Sequence, residues 1–196
     1  MPTAAQISQH LIATQPGLDR FLLTVPKVEP LQPSGTEIAV ALPRIIIRQM
    51  LSGKASETII ARAEQRAAEA GLQRLSQLPE LSLIEAGCSR AKARTIVNFN
   101  HYIEVHGDPY PSWVQLSDDA LMRQLTSFKG IGRWTAAILA MFHFARADIF
   151  PAADSSLQKA IRLLSEHQVY INPSIAAPYR TYLAIYLWQL VDQNRI

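Results

Sequence analysis

The fold is decided by the stretch LTSFKGIGRWTAAILAMFHFARADIFPAAD, residues Leu125–Asp154. At its centre, the corner Gly130-Ile131-Gly132 separates a helical pattern that ends near Phe128 from an apolar run that begins at Trp134. Two glycines one residue apart between helices indicate a turn whose backbone needs positive φ and no Cβ atom. The amides of such a turn and of the next helix start point the same way, and a phosphate fits that geometry.

Taken alone, a GxG corner is more often a helix C-cap followed by a short connector. The longer string from Phe128 to Ala136 resembles the hairpin signature of the helix-hairpin-helix DNA glycosylases, whose members place an aspartate downstream after a phenylalanine and a proline. Phe150-Pro151-Ala152-Ala153-Asp154 matches that pattern. Within the superfamily, Trp134 and the run Pro178-Tyr179-Arg180-Thr181-Tyr182 are most similar to the DNA-3-methyladenine glycosylase II family. The resemblance covers about residues 43–188.

The expected architecture is all-α. No stretch shows sustained period-two alternation or an internal repeat, and 196 residues suit one well-buried core. The resemblance implies a helix-hairpin-helix DNA glycosylase fold with two helical subdomains and a cleft between them. We therefore expect residues 1–196 to form a single glycosylase domain with its hairpin at about 125–140 and without the extra N-terminal α/β domain of some larger relatives.

Apolar spacing, capping residues and helix breakers define the expected elements. Residues 26–36 and 107–111 are expected to be irregular because they are rich in proline and glycine. The run Thr135–Phe144 is apolar on every side, which indicates a helix in the centre of the core. The other expected helices are Ala4–Thr14, Pro43–Leu51, Ser56–Ala70, Leu75–Gly87, Ser89 to Ile103, Ser117 to Phe128, Leu157–Leu164 and Pro178–Val191.

Composition agrees with a globular protein: 48% of the residues are apolar and 18% are charged. No apolar run reaches the roughly 20 residues that a membrane-spanning helix needs, and the first residues lack the basic region of a secretory signal. We expect a cytoplasmic address in a bacterium, or a nuclear one in a eukaryote, and no membrane partner. A net charge of +3 permits nucleic-acid binding without demonstrating it.

Cysteine and histidine usage argues against cofactors. The single cysteine, Cys88, excludes an internal disulfide and the four-cysteine iron–sulfur cluster that some glycosylase relatives carry. The five histidines show neither HExxH spacing nor pairing with cysteine, which argues against zinc. We expect no cofactor; the resemblance allows at most a monovalent cation held by hairpin carbonyls.

Asp154 is the expected catalytic residue. An aspartate before Ser155 is also typical of a helix N-cap, and without the hairpin that interpretation would be preferred. In the family pattern, the carboxylate stabilises the positive charge that develops on the sugar as the base leaves, and it helps to orient water. A base alkylated at a ring nitrogen is already cationic and departs neutral, so little general acid is required.

The target base must leave the duplex stack before it can react. The resemblance places Trp134 and Trp188 in an aromatic base pocket, although both also suit a core, and we add Tyr182 to that pocket. Predicted DNA contacts lie in the hairpin and in a segment similar to the family's Gln-x-Val/Leu-Ser turn. These residues are Lys129, Gly130, Ile131, Gly132, Arg133 and Thr135 in the hairpin, and Gln49, Met50 and Ser52 in the turn.

Relatives that also cut the DNA strand have a lysine at the position of Trp134, where its amine forms a Schiff base. We therefore expect a monomeric, monofunctional glycosylase without AP-lyase activity, acting on double-stranded DNA with alkylated purines such as 3-methyladenine and 7-methylguanine. A non-catalytic helix-hairpin-helix DNA-binding module is the alternative, and it would not need Asp154. An enzyme for oxidised or mismatched bases fits less well without the lysine or the cysteine cluster.

Overall fold

The computed structural model describes residues 2–196, and they fold into helices joined by short turns, with no strand among them. The all-α prediction is confirmed. Two 3-10 turns, Leu75–Gln77 and Pro173–Ala176, accompany the α-helices. The helices are α1 (Ala4–Thr14), α2 (Asp19–Leu22), α3 (Ile38–Arg48), α4 (Gly53–Glu69), α5 (Glu80–Ala86), α6 (Arg90–His106), α7 (Tyr110–Trp113), α8 (Asp118–Thr126), α9 (Arg133–Phe142), α10 (Ser155–Glu166) and α11 (Arg180–Asp192).

The chain divides into two compact units, as the two expected subdomains require. The first unit contains the residues up to Pro33 and the segment Ala140–Ile196. In it, α11 packs against α10, and Tyr186 is buried with its hydroxyl 2.9 Å from Ser8 Oγ and 3.0 Å from the Val28 amide. The first bond fixes α1, and the second fixes the segment after α2, onto the last helix.

The second unit is Ser34–Leu139. Its core forms where α3, α4, α5 and α6 pack together and bury aliphatic side chains. Each helix contributes buried side chains from one of its faces, as the apolar spacing predicts. Fully buried side chains of these helices include Ile46, Ile47, Leu83 and Ile96.

Three predicted boundaries were wrong. Helix α3 begins at Ile38, so Pro43 lies inside the helix and not in its first turn. Proline there removes the amide that would bond to the carbonyl four residues earlier, but burial of Ile38 and Leu42 outweighs that loss. The single helix expected at 75–87 is a 3-10 turn followed by α5, because Pro79 keeps Leu78 extended at ψ 143°.

The prolines near residue 110 also start a helical turn instead of a loop. Asp108 Oδ1 accepts the Tyr110 amide at 3.0 Å, and Pro111 lies at the start of α7, where a missing amide costs little. The predicted central helix, α9, buries Ala136, Ala137, Leu139, Ala140 and Met141, but Phe142 at its end is 41% exposed. The expectation that this helix is buried on every side was therefore wrong at its C-terminus.

None of the helices within residues 2–196 combines the length and the apolar character that a bilayer crossing requires.

Candidate functional site

The glycine corner joins α8 to α9 within the second unit. The Ile131 amide donates to the Phe128 carbonyl at 3.0 Å and closes the turn, and Gly130 has φ +93°. A Cβ atom on Gly130 would lie 2.0 Å from Thr95 Oγ1, on α6. Backbone conformation and close approach to α6 therefore both require glycine at this position.

Aromatic packing beneath the corner holds it in place. The Phe128 ring lies edge-on to Phe99 and Tyr102, with ring centroids 5.2 and 4.9 Å apart, and 5.9 Å from the Trp113 ring. The Ile131 side chain is buried as well. Such edge-to-face aromatic contacts stabilise by more than their buried area alone, so the corner is a rigid element.

The outer face of the corner suits an anion. Lys129, Gly130, Gly132 and Arg133 are all exposed. Helix α9 begins at Arg133, and the amides of a first helical turn have no partner within their own helix. Together with the positive end of the helix dipole, these groups form the kind of site that binds phosphate.

The turn between α3 and α4 carries the second set of predicted DNA contacts, also in the second unit. Met50 has φ +55°, a conformation that glycine usually supplies, yet its side chain is 100% exposed. Ser52 Oγ accepts the Ala55 amide at 3.3 Å and caps α4. This combination of full exposure and unfavourable backbone keeps Met50 a candidate contact residue, and its contact with DNA stays a prediction.

Two of the predicted DNA-contact residues are hydrogen-bonded to each other. Thr135 is only 1% exposed, and its Oγ1 accepts a hydrogen bond from Gln49 Nε2. The side chains of Gln49 and Thr135 therefore bond to each other and tie the turn to the start of α9, and direct DNA contact through the Thr135 side chain is not supported.

Asp154 lies in the first unit, at the start of α10. Its Oδ1 accepts the Leu157 amide at 2.9 Å, which makes it the N-cap of that helix. The same oxygen accepts Trp188 Nε1, on α11, at 3.0 Å. The N-cap interpretation is thus locally correct, and the second donor orients the carboxylate in a way that capping alone does not require.

Trp188 and Phe142 form an aromatic pair beside this carboxylate. Their rings are stacked with centroids 6.3 Å apart and an angle of 30° between the planes. Trp188 is half-buried, whereas Phe142 presents an exposed edge. Sequence reasoning missed Phe142 and the bond from Trp188 to Asp154, because neither follows from spacing along one helix. Placement of Trp134 and Trp188 in a base pocket stays a prediction.

Tyr182, by contrast, belongs to the core of the first unit. It is 3% exposed, and its hydroxyl accepts the Leu31 amide at 3.1 Å. The prediction that Tyr182 lines the base pocket is not supported, because both its ring and its hydroxyl are used in folding.

The segment that leads to Asp154 is attached to the beginning of α11. Asp148 binds Arg180 through two bonds of 2.8 Å, Oδ1 to Nε and Oδ2 to Nη2, and Asp148 Oδ1 also accepts the Arg180 amide. The Thr181 hydroxyl donates to the Arg146 carbonyl at 2.7 Å and accepts the Ile149 amide at 3.0 Å. Hydrogen bonds to the Arg180 side chain hold the pKa of Asp148 below its ordinary value.

Metal sites are not indicated within residues 2–196, where no group of three or more histidine, cysteine, aspartate or glutamate side chains is suitably placed. The monovalent cation that the resemblance allows at the hairpin carbonyls is not tested by the structure. The Phe128 carbonyl accepts the Ile131 amide, and no step of the function proposed below requires a cation.

Known proteins resemble this chain in sequence and in structure. A stretch of 82 residues is 39% identical to DNA-3-methyladenine glycosylase 1 of Schizosaccharomyces pombe. The structure matches a DNA-3-methyladenine glycosidase from Bacillus halodurans over 96% of this chain and 90% of that one, with 26% identity and a TM-score of 0.73. The chain is thus similar to DNA-3-methyladenine glycosylases both in a part of its sequence and in its fold.

The same fold is also seen in 3-methyladenine DNA glycosylase Mag1 of Schizosaccharomyces pombe, solved in complex with abasic DNA. That structure matches 95% of this chain and 96% of the Mag1 chain, with 24% identity and a TM-score of 0.79, a likeness that shows the fold. The names of these relatives do not specify class II, so that finer assignment stays a prediction.

The sequence matches are partial. The stretch shared with the Schizosaccharomyces pombe enzyme covers 38% of this chain and 36% of that protein, so the matched region spans about a third of the relative. No model of a protein family matches the chain. Activity, substrate and partner therefore rest on the chemistry of the residues described above.

Replacing Gly130 by alanine should lower the free energy of unfolding by roughly 2 kcal/mol or more, because the new Cβ meets Thr95 and φ is positive. Gly132→Ala is the matched control: no atom lies within 4 Å of a Cβ there, and a change below about 0.5 kcal/mol is expected. Urea unfolding measures both. Equal stability of the two variants would contradict the close approach of Gly130 to α6.

Replacing Asp148 by asparagine should lower stability at neutral pH by about 1 kcal/mol, since the ion pair with Arg180 is partly exposed. The folded pKa lies below the ordinary value of 3.8, so the contribution is present above that value and is lost as pH falls through the folded pKa. In urea unfolding, the difference in free energy of unfolding between wild type and variant should be constant near neutral pH. It should become smaller below about pH 4. The control Asp192→Asn, which changes an exposed carboxylate, should have the same free energy of unfolding as wild type. If the difference for Asp148→Asn persists to about pH 2, the stabilising role of the ionised Asp148 is contradicted.

Proposed function

We propose that this protein is a monofunctional DNA glycosylase that removes cationic, alkylated purines such as 3-methyladenine and 7-methylguanine from double-stranded DNA. The reaction is the first step of base excision repair. The observation that carries the proposal is the Asp154 carboxylate, whose Oδ1 is held by both the Leu157 amide and Trp188 Nε1.

The chemistry requires one fixed negative charge. When the N-glycosidic bond breaks, its electron pair moves to the base, and a purine alkylated at a ring nitrogen leaves as a neutral molecule. The sugar carries the positive charge until water attacks its anomeric carbon and releases a proton. Asp154 stabilises the charged sugar and accepts a hydrogen bond from the water, and its two donors keep it oriented without reorganisation during the reaction.

DNA binding follows from the glycine corner. The amides around Gly130, Gly132 and Arg133 bind a backbone phosphate, and the exposed side chains of Lys129 and Arg133 add positive charge. Contacts of this kind carry no sequence information, so the protein binds duplexes of any sequence and loses affinity as salt rises.

Extrusion of the target nucleotide needs a group that fills the space it leaves. Met50 fits this role, because its flexible apolar side chain is fully exposed on a turn whose conformation is otherwise unfavourable. Unstacking a base costs a few kcal/mol, and an inserted side chain offsets part of that cost.

The absence of AP-lyase activity rests on Trp134. The first turn of α9 presents an indole where strand-cutting relatives of the superfamily carry a lysine amine, and an indole cannot form a Schiff base with the sugar. The abasic site is therefore left with an intact strand.

Release of 3-methyladenine and 7-methylguanine from methylated duplex DNA tests the proposal directly. Wild type should release at least one of these bases, and Asp154→Asn should reduce the single-turnover rate by roughly a hundredfold or more. Asparagine is an equally good N-cap, so α10 stays intact in that variant. The same reactions quenched with borohydride should trap no covalent protein–DNA adduct.

Asp192→Asn serves as the matched control, because it removes an exposed carboxylate at the end of α11 and should leave the rate unchanged. No release by wild type would leave the DNA-binding module as the better account. A nearly full rate for Asp154→Asn would refute the catalytic assignment, and efficient trapping would refute the monofunctional one.

A further inference from the structure

The end of α3 has an unusual way of satisfying its last carbonyl groups. The final carbonyls of a helix lack partners within that helix and need other donors. Here the Gln49 amide donates to Ile46 at 3.3 Å, and the Leu51 amide donates to Arg48 at 3.3 Å. The carbonyls of Ile47 and Gln49, which alternate with these two, point to a side chain from another helix.

That side chain is Lys92, in the first turn of α6. Its Nζ donates to the Ile47 carbonyl at 2.9 Å and to the Gln49 carbonyl at 2.6 Å. An ammonium group at the negative end of a helix dipole is favourable, and its hydrogen bonds are charge-assisted. Lys92 thus bridges the last turn of α3 and the residue directly before Met50.

The electrostatic surroundings make this bridge the main partner of the ammonium group. Burial removes part of the hydration of the Lys92 ammonium group and thereby lowers its pKa. The nearby Cys88 does not compete as a counter-ion, because burial raises the pKa of its thiol and keeps it neutral. The Ile47 and Gln49 carbonyls take the place of part of the water that the ammonium group loses.

The same helix also supports the glycine corner. Thr95 lies three residues after Lys92, on the same side of α6, and it is the residue against which Gly130 packs without room for a Cβ. One turn of α6 therefore contacts both elements to which DNA contacts were assigned above, the corner and the turn that carries Met50.

We infer that Lys92 is a positioning residue: its bonds to Ile47 and Gln49 lock the 49–52 turn so that Met50 is held ready to enter the duplex. This inference rests on the proposed function. The lock is needed because positive φ at a residue with a side chain is unfavourable, and Met50 is fully exposed and gains no packing that would compensate. Without the ammonium group, the turn relaxes to other conformations.

The first test examines the free protein and needs no activity. In Lys92→Met, hydrogen exchange of the Gln49 and Leu51 amides should become at least about tenfold faster. Lys92 no longer holds the Ile47 and Gln49 carbonyls, so the neighbouring bonds to the Ile46 and Arg48 carbonyls open more often. Exchange in the buried centre of α6 should be unchanged, which shows that the fold is intact. Unchanged exchange at Gln49 and Leu51 would overturn the lock.

The second test measures extrusion without base release, so it is informative even if the protein is no glycosylase. The probe is a duplex with 2-aminopurine beside a tetrahydrofuran abasic analogue, whose fluorescence rises when a side chain enters the stack. Lys92→Met should weaken this response at least about threefold, while affinity for undamaged duplex stays within about twofold. Lys159→Met, at an exposed lysine of α10, removes the same charge and should leave the fluorescence response at the wild-type level.

A double-mutant cycle with Met50→Ala separates positioning from a general structural role. If Lys92 acts through Met50, Lys92→Met should have no further effect on fluorescence once Met50 is alanine. Additive effects, or an equal loss for Lys159→Met, would overturn the inference. If the effects of Lys92→Met and Met50→Ala on fluorescence are non-additive but wild type releases no alkylated base, the positioning role is retained and the proposed catalysis is refuted.

Discussion

The hydrogen bond from Trp188 Nε1 to Asp154 Oδ1 is the constraint on which this account depends. A carboxylate at a helix start has a capping role by default, and the Leu157 amide fulfils it here. The Trp188 indole donates a second hydrogen bond to the same carboxylate from another direction, and this bond joins α10 to α11. Because Arg180 and Thr181 also bind the segment before Asp154 to the beginning of α11, the position of the carboxylate is fixed from both sides along one helix.

Two positions with left-handed backbone show opposite solutions to the same steric problem. At Gly130 the chain omits the side chain, because Thr95 leaves no space and the amides must face outward. At Met50 the chain keeps a large side chain on an equally unfavourable backbone and exposes all of it. At Gly130 the backbone amides are the exposed groups, so phosphate binding is assigned to that turn. At Met50 the side chain is the exposed group, so nucleotide extrusion is assigned there.

Much of the fold could be predicted from local signals. The glycine corner, the caps at Ser89 and Ser117, and the apolar faces of the helices all appear in the structure. Pro43 led to a wrong prediction of where α3 begins, because the burial of neighbouring aliphatic residues outweighs the loss of one backbone hydrogen bond. Contacts between distant residues, such as Trp188 with Asp154 and Lys92 with Gln49, could not be predicted, since residue spacing does not reveal which side chains meet across helices.

The most direct test of the central claim is the single-turnover rate of alkylated-base release by Trp188→Phe, measured with affinity for abasic-site DNA. Phenylalanine keeps an aromatic ring beside Phe142 but removes the indole N–H that binds Asp154. The account predicts a rate reduced by roughly ten- to a hundredfold, with affinity little changed. A wild-type rate in this variant would contradict it, because the carboxylate would then need no second donor.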